Sequence, residues 1–148
     1  MDAGLDAAHV VALDVVAQGV ELGAAAAHAG WAARPASERA AILRQAAREL
    51  DEYFAGTRTA FDLPLDHALS HGFRQLVQSR LPDIGYGTTL SYKQVAELVG
   101  SPAAVRAVGT ACATNPLPVV VPCHRVVGSD GSLTGYGGGL DNKRALLD

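Results

Sequence analysis

A chain of 148 residues with a net charge of −3 and an apolar share of 49% has room for one domain, or for a small pair sharing a core. Its two cysteines are too few for a disulfide framework and point to a reducing compartment. The acidic start MDAGLDAAHVV lacks the basic stretch of a secretory leader, and charges break every apolar run before membrane-spanning length, so the expectation is a soluble cytoplasmic protein.

The charge is unevenly spread. Residues 1–66 carry five Lys/Arg against ten Asp/Glu, and residues 67–148 carry seven against five. Overall acidity argues against a nucleic-acid partner, but the C-terminal part is mildly basic, well short of a basic stripe.

In chain order, HVVALDVV and GVELGAAAA each fit a short strand or part of a helix, and periodicity does not decide. ASERAAILRQAARELDEYF predicts a helix capped by Ser37. Ile42, Ala46, Leu50 and Phe54 form its buried face, and Gly56 follows its end. AGTRTAFDLPLD reads as an extended linker held open by Pro64. A second helix spans about Gly72–Leu81 and stops at Pro82. IGYGTTLS is a turn. SYKQVAELVG is a short helix, and SPAAVRAVGTACA begins another, with Ser101 as cap and Pro102 at its first position. Two short helices about a glycine-containing turn fit a helix-turn-helix or an ordinary αα-hairpin. NPLPVVVPCHRVVG reads as a proline-rich loop, a short buried strand and a Cys-His pair. GSDGSLTGYGGGL is a glycine-rich loop, and DNKRALLD starts a last helix.

Cys123 and His124 carry the strongest chemical signal. A thiol is a weak nucleophile until a base or cation lowers its pKa, and a histidine held close can do that. Neighbouring side chains on an extended strand point apart, so the pair works only if the chain bends, as Pro122 allows. The alternative is a buried structural cysteine beside an incidental histidine. Zinc is disfavoured, because Cys112, Cys123 and His124 lack a CxxC pair and a clear fourth ligand. The glycine loop lacks the Lys-Ser/Thr of a phosphate cradle and suggests instead close backbone approach to something flat. Arg106, alone among small residues, is either a solubilising charge or a cation that lies close to DNA. Cys112 reads as a packing residue.

The stretch VPCHRVVGSDGSLTGYGGGLDNKRALL, with GYGTTLSY and SPAAVRAVGTACATNP before it, resembles the active-site domain of the O6-alkylguanine-DNA alkyltransferases, also called methylated-DNA–protein-cysteine methyltransferases. The resemblance runs from about Leu50 to Asp148. It implies an α/β, mostly helical fold, with a winged helix-turn-helix-like domain at residues 67–148 behind a short, atypical N-terminal segment at residues 1–66. It implies direct, single-turnover transfer of an alkyl group from guanine O6 in double-stranded DNA, by a monomer, with no cofactor and no metal. Cys123 would be the acceptor and His124 its base through a water. Asn115 would tie the recognition helix to the active-site strand, and Tyr92 would stand against the target phosphate. Arg106 would enter the duplex as a finger, with Ser101, Ala104 and Arg125 also at the DNA. The carbonyls of Cys123 and Val126 would accept from the guanine amine. Tyr136 and Gly137 would close over the base, and Lys143 would stand near it. A last-helix carboxylate would bond His124, and Asp148 is the nearest here. Gln78 stands where the family often has tryptophan, which implies a packing difference. Two other readings remain open. One is a lesion binder that flips alkylated bases without transfer, although proteins of that kind lack the acceptor cysteine. The other is a Cys-His hydrolase, for which nothing marks an oxyanion hole.

Overall fold

The computed structural model describes residues 33–148; the HVVALDVV and GVELGAAAA expectations lie outside them. Five α-helices and one two-stranded sheet make up the regular structure of that part: α1 (Ala36–Phe54), α2 (Gly72–Arg80), β1 (Leu90–Ser91), α3 (Tyr92–Leu98), α4 (Val105–Ala113), β2 (Val126–Val127) and α5 (Leu140–Leu147), with 3-10 turns at Leu81–Asp83 and Cys123–Arg125. The expected mostly helical α/β fold is what is seen. No helix among the described residues is long and apolar enough to cross a membrane.

Helix α1 follows its apolar spacing. Leu50 and Tyr53 are buried and Ile42, Ala46 and Phe54 are half-buried. Its start differs from expectation. The N-cap is Pro35, with no side-chain cap; Ser37 is already inside the helix. Glu49, on the same face, is buried. Its carboxylate accepts from Gln45 Nε2 at 2.8 Å and from the Asp62 backbone N–H at 2.8 Å, and Arg58 Nη1 lies 3.6 Å away. Burial works to raise the pKa of Glu49, but the two hydrogen bonds and the charges of Arg58 and Arg48 outweigh it, and the pKa is lowered. The linker after α1 is not extended throughout as expected: turns and bends at residues 55–60 precede a stretch without regular structure at residues 61–67, and Glu49 bonds its backbone to the helix.

The main core is built from Val77 and Leu81, Ile84, Val95 and Ala96, Val108 and Ala111, and Val121, Cys123 and Val126. Helices α2, α3 and α4 thus close around the turn that carries Cys123. Ser91 caps α3 in a full capping box with Gln94, which leaves β1 running directly into the helix. Between α3 and α4, Gly100 takes φ 73°, a left-handed conformation that favours glycine. Ser101 N then donates to Ala96 O at 2.8 Å, and Ala104 N to Ser101 O at 2.9 Å. Ser101 and Pro102 therefore belong to the turn. Helix α4 starts at Val105, later than expected, with Ala104 as its N-cap.

The expected buried strand ahead of the Cys-His pair is absent. Val119–Val121 turn, Val119 at φ 72°, and strand β2 comes after the pair, parallel to β1 with Leu90 opposite Val126. The run of three valines misleads because it is buried without being extended. Val119 packs with Leu50 and Tyr53 in a second cluster, and Val121 joins the main one.

Removing the Glu49 carboxylate should leave the Asp62 N–H without its acceptor, while Arg58 keeps its bond to Glu52 at 2.7 Å. Glu49→Ala is expected to lower unfolding free energy by about 1–3 kcal/mol, read by urea denaturation. Limited proteolysis should also begin to cut near Asp62. A variant as stable and as protease-resistant as the parent would show that the linker is held by something else.

Candidate active site

Cys123, His124 and Arg125 form a single 3-10 turn. Cys123 N donates to Val121 O at 2.8 Å, and Arg125 N to Pro122 O at 3.0 Å. This is the bend that the Cys-His pair requires. Asn115, two residues past the end of α4, donates from Nδ2 to Val121 O at 2.8 Å and to Cys123 Sγ at 3.1 Å. Its Oδ1 accepts from Leu117 N at 3.1 Å. Asn115 thus joins the end of α4 to the active turn, as expected, though to a turn and not to a strand.

Cys123 is only 4% exposed. Burial pushes its thiol pKa up; the Asn115 bond, the Lys143 charge and the backbone N–H groups of Cys123 and His124 pull it down without prevailing. The resting sulfur is therefore a protonated thiol at neutral pH. His124 is fully buried. Burial first, then the charges of Arg125 and Lys143, push its pKa down to about 3, so the ring is neutral. Neither ring nitrogen has a hydrogen-bond partner among the described residues; Asp148 is exposed at the end of α5.

A cavity of about 560 Å³ opens over the sulfur. Helix α4 contributes Arg106, Gly109, Cys112 and Ala113 to its lining, and Tyr92 and the Thr134–Gly137 loop contribute the rest of its polar and aromatic surface. Tyr92 Oη donates to Thr134 O at 3.0 Å. The buried Lys143 ammonium gathers the loop. It donates to Val126 O at 2.6 Å, Thr134 O at 3.1 Å and Gly135 O at 3.5 Å, and lies 5.8 Å from the centre of the Tyr92 ring. Burial lowers its pKa. The loop begins at Gly128, where a Cβ would come within 2.5 Å of Ser132 Oγ and 2.7 Å of Asp130 Oδ1, so a side chain there would open the turn. Tyr136 Oη is buried with no partner, and burial raises its pKa.

Of the expected residues, Cys123, Tyr92, Arg106, Tyr136 and Gly137 line one cavity, with Asn115 and Lys143 bonded to its walls. Arg106 is exposed, and Ser101 and Ala104 are half-buried in the turn before α4. Arg125 is a correction. It is buried, donates to Ile84 O at 2.7 Å and Tyr53 Oη at 3.3 Å, and lies 5.6 Å from the centre of the Tyr86 ring. Its charge ties the active turn to α1 and is withheld from a phosphate. The carbonyls expected to receive the guanine amine already have donors, Lys143 at Val126 and the Val126 N–H at Cys123; an amine there uses the second lone pair of each. Sequence reasoning missed Cys112 as a wall of the cavity, where burial and then the neighbouring Cys123 push its thiol up to about 12. It also missed Thr134, whose contribution is a carbonyl and leaves no side-chain signal.

A family model described as 6-O-methylguanine DNA methyltransferase, DNA binding domain, matches residues 72–148. The ribonuclease-like domain of the same methyltransferase matches residues 6–67, which begins upstream of about Leu50, where the resemblance in the motifs starts. A methylated-DNA–protein-cysteine methyltransferase of Mycolicibacterium paratuberculosis is 48% identical over 118 residues, 80% of this chain and 68% of the relative. One from Mycobacterium bovis is 51% identical over 100 residues, 68% of this chain and 60% of the relative. Among solved structures, Mycobacterium tuberculosis OGT in complex with DNA superposes with a TM-score of 0.67 at 50% identity, over 70% of this chain and 62% of that one. O6-methylguanine-DNA methyltransferase from Pyrococcus kodakaraensis gives 0.54 at 30% identity, over 77% and 63%. The chain spans 60–68% of the length of these two curated relatives.

The neutral, buried His124 has a consequence for stability. Its folded pKa of about 3 lies below the ordinary 6.5, so between these values the unfolded chain binds a proton that the folded chain refuses. Its contribution is fully present above pH 6.5 and is lost as pH falls towards the folded value. The loss should amount to about 2 kcal/mol between pH 7 and about pH 5, and His124→Gln should remove it. Urea melts at the two pH values test this; parallel losses in parent and variant would exclude His124 as the source.

Proposed function

Because this chain belongs to the 6-O-methylguanine DNA methyltransferase family, we propose that it repairs DNA by moving an alkyl group from guanine O6 to Cys123, once per molecule. The observation that carries this reading is the placement of the Cys123 sulfur in a cavity walled by α4, the second helix of the helix-turn-helix, with Asn115 bonded to it. The proposed division is an N-terminal segment at residues 1–66 and a DNA-binding transfer domain at residues 67–148. The proposed setting is cytoplasmic and reducing, where both free thiols persist.

A base inside a duplex cannot reach a buried sulfur, so the target nucleotide must leave the stack, at a cost of a few kcal/mol. Arg106 is exposed on α4, and apart from Val105 its neighbours along the helix are small: Ala104, Ala107, Gly109 and Thr110. The helix can therefore press close to a groove, and the arginine can fill the space that the base vacates. The flipped guanine enters between α4 and the loop held by Lys143. Tyr136 Oη, buried and unpartnered, gains a partner when a polar base edge arrives. Gly109 has nothing within 4 Å of where a Cβ would stand, which leaves its side of the cavity open to the base.

In the transfer, the sulfur attacks the alkyl carbon and an S–C bond forms as the C–O6 bond breaks. The electron pair stays on the guanine, which regains its keto form by taking a proton at N1. The Cys123 proton leaves as the sulfur attacks. Neutral His124 is the adjacent base, and the Lys143 charge and the Asn115 bond favour the developing thiolate. The thioether product is a stable carbon–sulfur link, so the protein is consumed. The presence of the acceptor thiol favours transfer over lesion binding alone.

With excess O6-methylguanine duplex, intact mass should rise by one methyl group and stop, with the label on the Cys123 peptide and none on Cys112. Cys123→Ser should abolish the gain while keeping DNA binding, which should weaken with added salt. Repeated turnover, or label on Cys112, would overturn the mechanism, and tight lesion binding with no mass gain would favour the lesion-binder reading. Arg106→Ala should slow reaction with the duplex by at least about tenfold yet spare reaction with free O6-alkylguanine; equal losses would remove Arg106 from the flipping step.

A further inference from the structure

Gln78 is buried on α2, 1% exposed, at a position where the neighbouring Val77 and Leu81 are apolar core. A buried amide is tolerated only if its groups are paired, and here they are. Nε2 donates to Ala111 O at 2.8 Å. Oε1 accepts from the hydroxyl of Ser70, itself buried at the end of the linker. The amide can stand only this way round, because the Ala111 carbonyl accepts and never donates.

The bond falls at a sensitive place. The last carbonyls of a helix have no partner inside it. At the end of α4, Thr110 O accepts from Thr114 N at 3.0 Å, and Cys112 O from Asn115 N at 3.3 Å. Ala111 O, between them, is served from another helix by Gln78. The residue placed by this terminal turn is Asn115, whose Nδ2 meets the Cys123 sulfur at 3.1 Å.

We propose that Gln78 is a positioning residue: by holding the last turn of α4 against α2, and being oriented in turn by Ser70, it sets where Asn115 meets Cys123 and so how readily that thiol ionises. The inference concerns the thiol alone and does not depend on which substrate the cavity receives. Other groups also face the sulfur, namely Cys112 of α4, Tyr92 of α3, Tyr136 of the glycine loop, Lys143 of α5 and the adjoining His124. The side-chain hydrogen bonds of Gln78 go to Ser70 and Ala111 O and to none of these groups, so its effect is separable from theirs.

The test is the pH dependence of Cys123 alkylation by iodoacetamide in the full chain, resolved from Cys112 by peptide mass. Gln78→Met conserves volume and removes both bonds. The double variant Ser70→Ala/Gln78→Met also removes the orphaned hydroxyl, and Ser70→Ala alone leaves the core filled. Val77→Ala, one residue away, is the control that weakens packing without touching the amide. In the Gln78 variants the midpoint should move up by about half a pH unit, giving about threefold slower alkylation at neutral pH. Ser70→Ala should shift it in the same direction by less, and Val77→Ala should leave it in place while lowering the melting temperature. An unchanged midpoint in the folded Gln78 variants, or an equal shift in Val77→Ala, would overturn the proposal. Failure to alkylate from guanine with a normal iodoacetamide profile would count against the repair reading and not against this one.

Discussion

The Asn115 side chain is the point at which the site's parts are held in common. Its amide nitrogen serves Val121 O and Cys123 Sγ, and its oxygen takes the Leu117 N–H. The first bond fixes the entry to the active turn. The second fixes the sulfur, and the third fixes the loop that leaves α4. A side chain with one donor fewer or a different shape could satisfy two of these but not all three. The helix that walls the cavity and the turn that carries the nucleophile therefore move together or not at all.

Around that point the electrostatics are those of a dry site. Burial raises the thiols of Cys112 and Cys123 and lowers His124 and Lys143. Each of these four groups is pushed towards its neutral form, and the carbonyls around Lys143 are what keep a cation there. Such a site stores no thiolate. It presents a protonated sulfur beside a neutral base and a nearby positive charge, so ionisation accompanies the chemistry and does not precede it. On the proposed function, this keeps the Cys123 thiol from reacting with other electrophiles.

Much of this was legible from residue order alone. The α1 spacing, the two short helices about Gly100 and the bend at Pro122 followed from pattern, and the grouping of Cys123, Tyr92, Arg106 and Tyr136 followed from the family resemblance. What was not legible had physical reasons. Ser37 and Ser101 are good capping residues, but neither caps, because a helix start depends on where the preceding chain enters. Val119–Val121 is as apolar as a buried strand, and burial alone does not extend a chain. Arg125 was placed at the DNA by the family resemblance, because its partners, Tyr53 and the Ile84 carbonyl, are not visible in a sequence. Gln78 looked like a lost packing residue for the same reason: the orphan carbonyl of Ala111 that it serves exists only after α4 has ended.

Val119 bears on how the protein can vary. A β-branched residue at φ 72° sits in backbone territory that disfavours it, yet its side chain is only 1% exposed against Leu50 and Tyr53. Glycine would relax the main chain and empty that cluster, while leucine or isoleucine would keep the cluster filled and leave the torsion unrelieved. The position thus has no replacement that satisfies both demands. Helix α1 and the active loop are consequently bound as a mutational pair: a change at Leu50 or Tyr53 alters the setting that holds Val119 in place, and lineages can drift at these sites only in step.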